Sequence, residues 1–224
     1  MLKKIILFLS LITYMLANYN PSPIYFTQEE ENFIKNNPII NVGTETNCAP
    51  FDFVEDGKYK GFAKDYLDLI EEKSTLKFNY ISDTWENLLT KAKNKEIDML
   101  PCLAKSPKRK EFLLFTEAYL TTRDFLFTKD DNNTIKTIDD IKEKRIVIIK
   151  GYPQEEIFKR DYPSVKIYYV NNFFDAIDAV ITNKADFFIA CNAMMNYYTK
   201  KHNITNLIRK FNFGIRFVIL CFFV

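Results

Sequence analysis

The side chains that could bind or activate another molecule follow the ends of predicted strands. Glu45 and Cys48 come after the first apolar strand, and Cys102 comes after the third. Tyr152 and Cys191 follow strands of the second half in the same way. Such groups could hold an organic solute, a soft metal or a redox pair. Acid–base catalysis would also require a partner for the acid, and no histidine is placed beside Glu45.

Arg109 has two interpretations. It follows Ser106-Pro107, a pair typical of an N-cap and the first position of a helix. A guanidinium beside the free N–H groups of a helix N-terminus could clamp a carboxylate. The alternative is a surface arginine in a basic run with Lys105 and Lys108. The residues alone leave both open.

The four cysteines are irregularly spaced, which excludes a zinc ribbon and a dense disulfide scaffold. They are Cys48, Cys102, Cys191 and Cys221. One hypothesis is a soft-metal site or a disulfide between Cys48 and Cys102. The other is that each thiol serves as a small apolar side chain. We favour the second and expect no metal and no cofactor.

Charge and composition exclude several classes of function. The chain has 31 basic and 29 acidic residues. Two of the basic residues, Lys3 and Lys4, lie in a segment that we expect to be removed. A neutral mature protein has no charge signature for nucleic acid or an anionic membrane. Thirteen Tyr and 21 Phe exclude intrinsic disorder.

The first residues predict export. Residues 1–17, MLKKIILFLSLITYMLA, combine a basic start with a short apolar run and a polar stretch behind it. That pattern is typical of a secretory signal peptide, with an uncleaved anchor as the alternative. Either way we expect the folded part outside the cytoplasm, in the periplasm.

Behind this segment, strands and helices alternate, which predicts parallel sheets with covered faces. Strands are predicted at 39–42, 77–81, 97–100, 145–149, 166–170 and 185–190. Helices are predicted at 63–73, from 83 onward, from 107 onward, and at 138–144, 154–160, 173–183 and 192–202. The pattern restarts after an extended segment at 121–128, which predicts two α/β lobes with a cleft beyond the carboxyl ends of the strands.

Two segments carry a family resemblance. They are VGTETNCAPFDFVEDGKYKGFAKDYLDLI and KNKEIDMLPCLAKSPKRKEFLLFTEAYLTT, followed in the second half by IVIIKGYPQE and NKADFFIACNAMMNYY. The chain resembles bacterial extracellular solute-binding proteins of family 3, the two-lobed Venus-flytrap modules, from about Pro38 onward. Its leader is similar to sensor modules ahead of histidine kinases and diguanylate cyclases.

The resemblance implies an α/β, two-lobed periplasmic-binding-protein fold of type II, each lobe a mixed, mostly parallel sheet flanked by helices. The expected parts are a signal peptide (1–17), a leader with a short helix (18–37), lobe 1 (38–120), a first crossing (121–128), lobe 2 (129–211) and a second crossing (212–224). The family continues with further lobe 1 helices, so we expect that the last part of lobe 1 is missing.

The resemblance also implies a ligand site in the cleft. Arg109 stands where the family binds a carboxylate, and Trp85 and Phe51 stand where it builds apolar walls. Cys191 replaces the acid that pairs with an α-ammonium group. The remaining expected ligand-binding residues are Cys48, Glu45, Cys102, Ala104 and Tyr152. Without the family's acid at position 191 a buried ammonium group would lack its counter-charge, so a small carboxylate without an amine is the expected ligand. Glu45 is the single acid expected in the cleft.

The expected function is therefore solute binding without catalysis, for transport or for signal input. The partners would be a small carboxylate-bearing solute and an inner-membrane transporter or sensor, with no nucleic acid. Three alternatives stay open at this point. They are a sensor-domain fragment of a truncated histidine kinase or diguanylate cyclase with impaired binding, a soft-metal or thiol-redox sensor, and an enzyme of the flytrap fold.

Overall fold

A computed structural model describes the backbone of residues 24–223 and the side chains of residues 24–213. The predicted signal peptide, residues 1–17, lies outside this part of the chain. No helix within residues 24–223 has the length and apolar character needed to cross a membrane.

Six helices and eleven strands form the described chain. The helices are α1 (Gln28–Asn36), α2 (Phe62–Ser74), α3 (Trp85–Lys93), α4 (Gln154–Asp161), α5 (Phe173–Ile181) and α6 (Asn192–Lys201). The strands are β1 (Ile39–Glu45), β2 (Asn47–Cys48), β3 (Asp52–Glu55), β4 (Lys58–Lys60), β5 (Lys77–Asp83), β6 (Met99–Leu103), β7 (Ala118–Lys129), β8 (Arg145–Ile149), β9 (Lys166–Val170), β10 (Phe187–Cys191) and β11 (Leu207–Phe223).

Eight strands form one sheet in the order β5-β1-β6-β11-β7-β10-β8-β9. At one end β1 pairs in parallel with β5 and β6, and at the other end β8 pairs in parallel with β9 and β10. The long strands β7 and β11 lie between these ends and pair antiparallel. The expected two-lobed α/β fold is confirmed. We call β1–β6 with α2 and α3 the first lobe, and β8–β10 with α4–α6 the second lobe.

In each lobe an aspartate precedes a buried strand and bonds to the backbone of the neighbouring strand. In the first lobe, Asp98 precedes β6, and its Oδ2 accepts the backbone N–H of Asn41 at 2.8 Å. In the second, Asp186 precedes β10, and its Oδ2 accepts the backbone N–H of Arg145 at 2.7 Å. Each carboxylate fixes the start of one strand against its neighbour. The register of β6 against β1, and of β10 against β8, is therefore fixed at the start of each strand.

Each lobe has its own apolar core. In the first lobe, Val42, Leu67 and Met99 are fully buried, and Ile34 of α1 packs against them. The capping box of Thr27 and Glu30 begins α1, as the sequence predicts. The second lobe buries an apolar group from its strands and helices: Ile146, Ile148, Phe158, Phe187 and Ile189.

Two predicted helices are wrong. The segment after Ser106-Pro107 makes only a short 3₁₀ turn at Arg109–Glu111, and residues 138–144 make a 3₁₀ turn at Ile138–Ile141. Cations crowd the start of the first segment, against the helix dipole, and Leu113 is buried just after the turn. In the second segment, Lys142 leaves the helical conformation and Glu143 has a φ of +60°, so the chain turns into β8 after one turn. The cap of α3 is Thr84 rather than Asp83, which ends β5.

Candidate ligand-binding site

A cavity of about 80 Å³ lies between the two lobes. Apolar groups form most of its wall, with a few charged side chains among them. All nine residues that the sequence predicts for the site line this one cavity: Glu45, Cys48, Phe51, Trp85, Cys102, Ala104, Arg109, Tyr152 and Cys191. Their location is therefore shared, while their role in binding stays a prediction.

Arg109 is buried at the boundary between the lobes. Its Nη1 donates to the carbonyl of Ala104 at 2.5 Å, and its Nη2 donates to the carbonyl of Gly151 at 2.7 Å. The guanidinium lies 5.1 Å from the centre of the Trp85 ring. Burial lowers the pKa of Arg109 to about 10. The predicted position at the start of an α-helix is wrong, because Arg109 begins a short 3₁₀ turn and backbone carbonyls hold its side chain. Its side chain lines the cavity, and its role there stays a prediction.

The carbonyl of Gly151 joins the two lobes. It accepts a second hydrogen bond, from Trp85 Nε1 at 3.1 Å. Gly151 has a φ of +78°, and a Cβ there would lie 3.2 Å from Trp85 Cδ1 and 3.1 Å from Leu89 Cδ1. A positive φ and this close approach both favour glycine.

Glu45 and Tyr152 form a hydrogen bond across the cavity. The Tyr152 hydroxyl donates to Glu45 Oε1 at 3.0 Å. Behind this pair, Asp52 Oδ2 accepts the backbone N–H of Glu45 at 3.1 Å. Burial, together with the charge of Asp52, raises the pKa of Glu45 to about 8. Burial also raises the pKa of Asp52 to about 7. Near neutral pH, Glu45 is thus held largely in its neutral form, and Asp52 is about half protonated.

Sulfur atoms form another part of the wall. Cys48 Sγ lies 3.7 Å from Cys102 Sγ and 3.8 Å from Met194 Sδ. Cys48, Cys102 and Cys191 are free thiols. Within the described residues, no group of three or more His, Cys, Asp or Glu side chains is arranged to hold a metal ion.

Asp124, in the middle of β7, is a cavity residue that the sequence prediction missed. It is 1% exposed, and its Oδ2 accepts Gln154 Nε2 at 3.1 Å. Among the described residues, Asp124 Oδ1 and Gln154 Oε1 have no hydrogen-bond partner. Burial raises the pKa of Asp124 well above its ordinary value. The expectation that Glu45 is the single acid of the cleft is therefore wrong.

A signal for Asp124 exists in the sequence. It lies in the segment predicted as an extended crossing, where alternate side chains share one face. Asp124 therefore shares a face with Leu126, which is fully buried. A charged residue on the buried face of a strand is expected to serve a site. Gln154, Phe173 and Met194 carried no comparable signal, because polar and apolar residues at helix starts are common.

The lobes also meet outside the cavity, between the three-stranded sheet β2–β4 and α6. The Tyr198 hydroxyl donates to the carbonyl of Asn47 at 2.7 Å. Lys201 forms an ion pair with Glu55, and the Phe53 and Tyr197 rings lie 5.6 Å apart. The cavity is thus bounded on two sides by contacts between the lobes. A mostly apolar wall with a few charged groups is the usual composition of a small-molecule site.

Comparisons with known proteins agree with this architecture. A model of the bacterial extracellular solute-binding proteins, family 3, matches residues 40–216. The virulence sensor protein BvgS of Bordetella pertussis is 24% identical over 182 residues, which are 80% of this chain and 15% of BvgS. A probable histidine-binding protein of Campylobacter jejuni is 26% identical over 121 residues, which are 54% of this chain and 47% of that protein.

The same likeness holds in three dimensions. The crystal structure of the BvgS periplasmic VFT2 domain superposes with a TM-score of 0.79 at 22% identity, over 90% of this chain and 87% of that domain. At this identity the superposition shows the fold alone. The chain spans less than half the length of either curated relative.

Proposed function

Because the chain belongs to family 3 of the bacterial extracellular solute-binding proteins, we propose that its cavity binds a small solute with both a carboxylate and a protonated amine. Binding would take place in the periplasm, to which the predicted signal peptide would direct the chain. The solute would bridge the lobes, and closure of the lobes would be the output.

The observation that carries this proposal is the environment of Arg109. The guanidinium is buried, and in the described part of the chain no carboxylate forms an ion pair with it. Two of its five N–H groups donate to carbonyls, which leaves donors for a further acceptor. A buried cation without a counter-ion is costly, and a solute carboxylate would offset that cost.

Asp124 extends the proposal to the amine. The sequence argument against an amine depends on the absence of an acid, and Asp124 lines the cavity with one carboxylate oxygen unpartnered. In the β7–β10 pairing Asp124 lies directly opposite Cys191. Opposite residues of an antiparallel pair point to the same face. Asp124 could therefore supply the negative charge that Cys191 cannot.

We propose a signal-input role with a membrane-bound sensor as the partner. The match to the sensor BvgS covers 80% of this chain, against 54% for the histidine-binding relative. We also propose that no catalysis takes place. The hydrogen bond between Glu45 and Tyr152 fits a binding wall, and His202, the one histidine, lies against Phe174 and Tyr198 of the second lobe, outside the cavity.

Calorimetric titration with three matched series of solutes tests the proposal. The series are small α-amino acids, the same acids without the amine, and the same amines without the carboxylate. We expect the amino acids to bind at least about 10-fold more tightly than either partial solute, because two buried charges are then paired. No heat with any series, or equal affinity for the amine-free acids, would contradict it.

Variants that remove one charge at a time test which cavity residue binds the carboxylate of the solute and which binds its amine. Arg109→Met should weaken binding of every carboxylate by about 30-fold or more, whereas Lys105→Met, in the adjacent loop, should leave the affinity unchanged. Asp124→Asn should remove the advantage of the amine while binding of the amine-free acid persists. Asp56→Asn, in an exposed turn, is its control.

A further inference from the structure

Three sulfur atoms meet where the lobes face each other. Cys48 of β2 and Cys102 of β6 belong to the first lobe, and Met194 of α6 belongs to the second. Cys48 Sγ lies in the middle, 3.7 Å from Cys102 Sγ and 3.8 Å from Met194 Sδ. Cys48 is 6% exposed and Met194 is 5% exposed. Two members of the cluster are therefore buried, and Cys102, which is half-buried, completes it from the first lobe.

The backbone holds the cluster from both sides. Cys48 pairs with Asp52 in the β2–β3 ladder, which fixes its direction. Next to it, the carbonyl of Asn47 accepts the Tyr198 hydroxyl at 2.7 Å. Tyr198 lies one helical turn beyond Met194 on α6, so this bond fastens the helix face that carries Met194 against the strand that carries Cys48.

The spacing of the sulfurs suits a shared metal ion. Sulfur atoms bonded at about 2.3 Å to one metal in a trigonal or tetrahedral arrangement lie about 3.8 to 4.0 Å apart. Two of the sulfur pairs already have separations within a few tenths of an ångström of this range. Binding would therefore require only small adjustments of the side chains.

The kind of sulfur ligand selects the metal. A structural zinc site has four nitrogen, sulfur or oxygen ligands, and no group of three His, Cys, Asp or Glu side chains is arranged for one among residues 24–213. Two thiols and a thioether are soft ligands, and such sets favour copper(I). The apolar wall of Phe51 and Phe173 would also keep competing water away.

We propose that Cys48, Cys102 and Met194 form a binding site for copper(I). Binding would release the two thiol protons to solvent and form two copper–thiolate bonds and one copper–thioether bond, without a change of oxidation state. Because Met194 comes from the second lobe, the ion would join the lobes directly. This would be an input to lobe closure separate from the solute held by Arg109.

The test is a titration of the reduced full chain with copper(I) under anaerobic conditions, in competition with a coloured copper(I) chelator. We expect one tightly bound ion per chain. Cys48→Ser and Cys102→Ser should each lower the affinity by at least about 100-fold, since loss of groups that merely orient a ligand already costs about 10- to 100-fold. X-ray absorption at the copper edge should show sulfur neighbours only.

The methionines supply a matched pair that does not depend on the thiol variants folding. Met194→Leu should weaken copper(I) binding about 10-fold. Met195→Leu, at the next position of α6 and also buried, should leave it unchanged. Equal affinity of these two variants would overturn the proposal. So would an unchanged affinity in Cys48→Ser, a nitrogen or oxygen shell, equally tight binding of zinc, or a Cys48–Cys102 disulfide in the chain isolated from the periplasm.

Discussion

Two arginines of this protein lie in contrasting surroundings. Arg145, at the start of β8, donates Nε to Asp186 Oδ2 at 3.1 Å and Nη2 to Oδ1 at 2.7 Å. Arg109, in the cavity, donates to two backbone carbonyls and, within the described side chains, to no carboxylate. Asp186 likewise accepts three hydrogen bonds from Arg145, while Asp124 of the cavity accepts one, from Gln154.

The difference separates stability from function. The Arg145–Asp186 pair is complete and fixes the entry to the buried strand β10. The cavity buries a cation, Arg109, and an acid, Asp124, and within residues 24–213 neither forms an ion pair, which lowers the free energy of unfolding. Natural proteins tolerate such a deficit where a ligand removes it. The contrast between paired and unpaired charges is therefore the strongest pointer to the site.

Breaking the Arg145–Asp186 ion pair should have the largest effect on the free energy of unfolding. We expect Asp186→Ala to lower the free energy of unfolding by about 2 to 3 kcal/mol, because it removes a bidentate arginine partner and the acceptor of a backbone N–H. Urea denaturation measures this. Asp178→Ala is the control, since its ion pair with Lys184 is long, at 3.6 Å, and half-exposed. A loss below about 0.5 kcal/mol in Asp186→Ala would break the contrast.

Replacing Asp124, the cavity acid without an ion pair in the described chain, should change the free energy of unfolding less and in the opposite direction. The size of this change should depend on pH. Burial raises the pKa of Asp124 in the folded state above the ordinary value of 3.8. The folded chain therefore binds more protons than the unfolded chain, and Asp124 lowers stability progressively as the pH rises above that value. Relative to the wild type, Asp124→Asn should gain about 1 to 2 kcal/mol between about pH 4 and pH 7, without added solute.

Asp186, which is paired with Arg145, should give the opposite dependence of stability on pH and so provides a check. Burial, which raises the pKa of Asp186, is outweighed by the hydrogen bonds from Arg145, so this pKa lies below its ordinary value. Its contribution is present above pH 3.8 and is lost as the pH falls through the folded pKa. Urea denaturation from about pH 2 to about pH 7 should show Asp124→Asn gaining stability over the wild type as the pH rises above 3.8, and Asp186→Asn losing stability relative to the wild type as the pH rises towards 3.8, which is a slope of opposite sign in a lower pH window. Slopes of equal sign would show that the two acids do not differ as proposed.

Of these variants, Arg145→Lys should change the free energy of unfolding least, and it tests the arginine of the paired site. Arg145→Lys keeps the charge but loses the planar fork that binds both oxygens of Asp186. We expect a loss of about 0.5 to 1 kcal/mol in the free energy of unfolding, measured by thermal denaturation. A loss as large as that of Asp186→Ala would mean that the fork, rather than the backbone hydrogen bond, dominates the pair.

Strong local signals made much of the fold predictable. Strands 145–149 and 166–170 were predicted with the bounds that the structure has, because polar or turn-forming residues flank apolar runs. The turn at Asp56-Gly57 has positive φ at both residues, as the sequence indicates. The wrong helix after Ser106 shows the limit. A capping signal cannot reveal that Arg109 is held by carbonyls of both lobes, because those contacts form only in the folded chain.

The site was predictable where a residue follows a strand end or matches a family position, as for all nine expected cavity residues. Asp124 and Met194 were missed for different reasons. Asp124 lies within the crossing strand β7, away from the strand ends at which ligand residues are expected in α/β sheets. Met194 lies on a helix and reaches the cavity only because α6 packs against β2. Contacts between distant elements of this kind depend on tertiary packing, which short sequence patterns do not encode.

The double acceptor at Gly151 has a consequence for how this protein can diverge. The atom that receives both Arg109 and Trp85 belongs to the main chain, so no exchange of a side chain at position 151 deletes it. Cavity residues other than Arg109 and Trp85 can therefore be replaced one at a time while the contact between the lobes at this carbonyl is kept. Under the proposed function, the solute preference could therefore change at those residues without loss of the contact that joins the lobes.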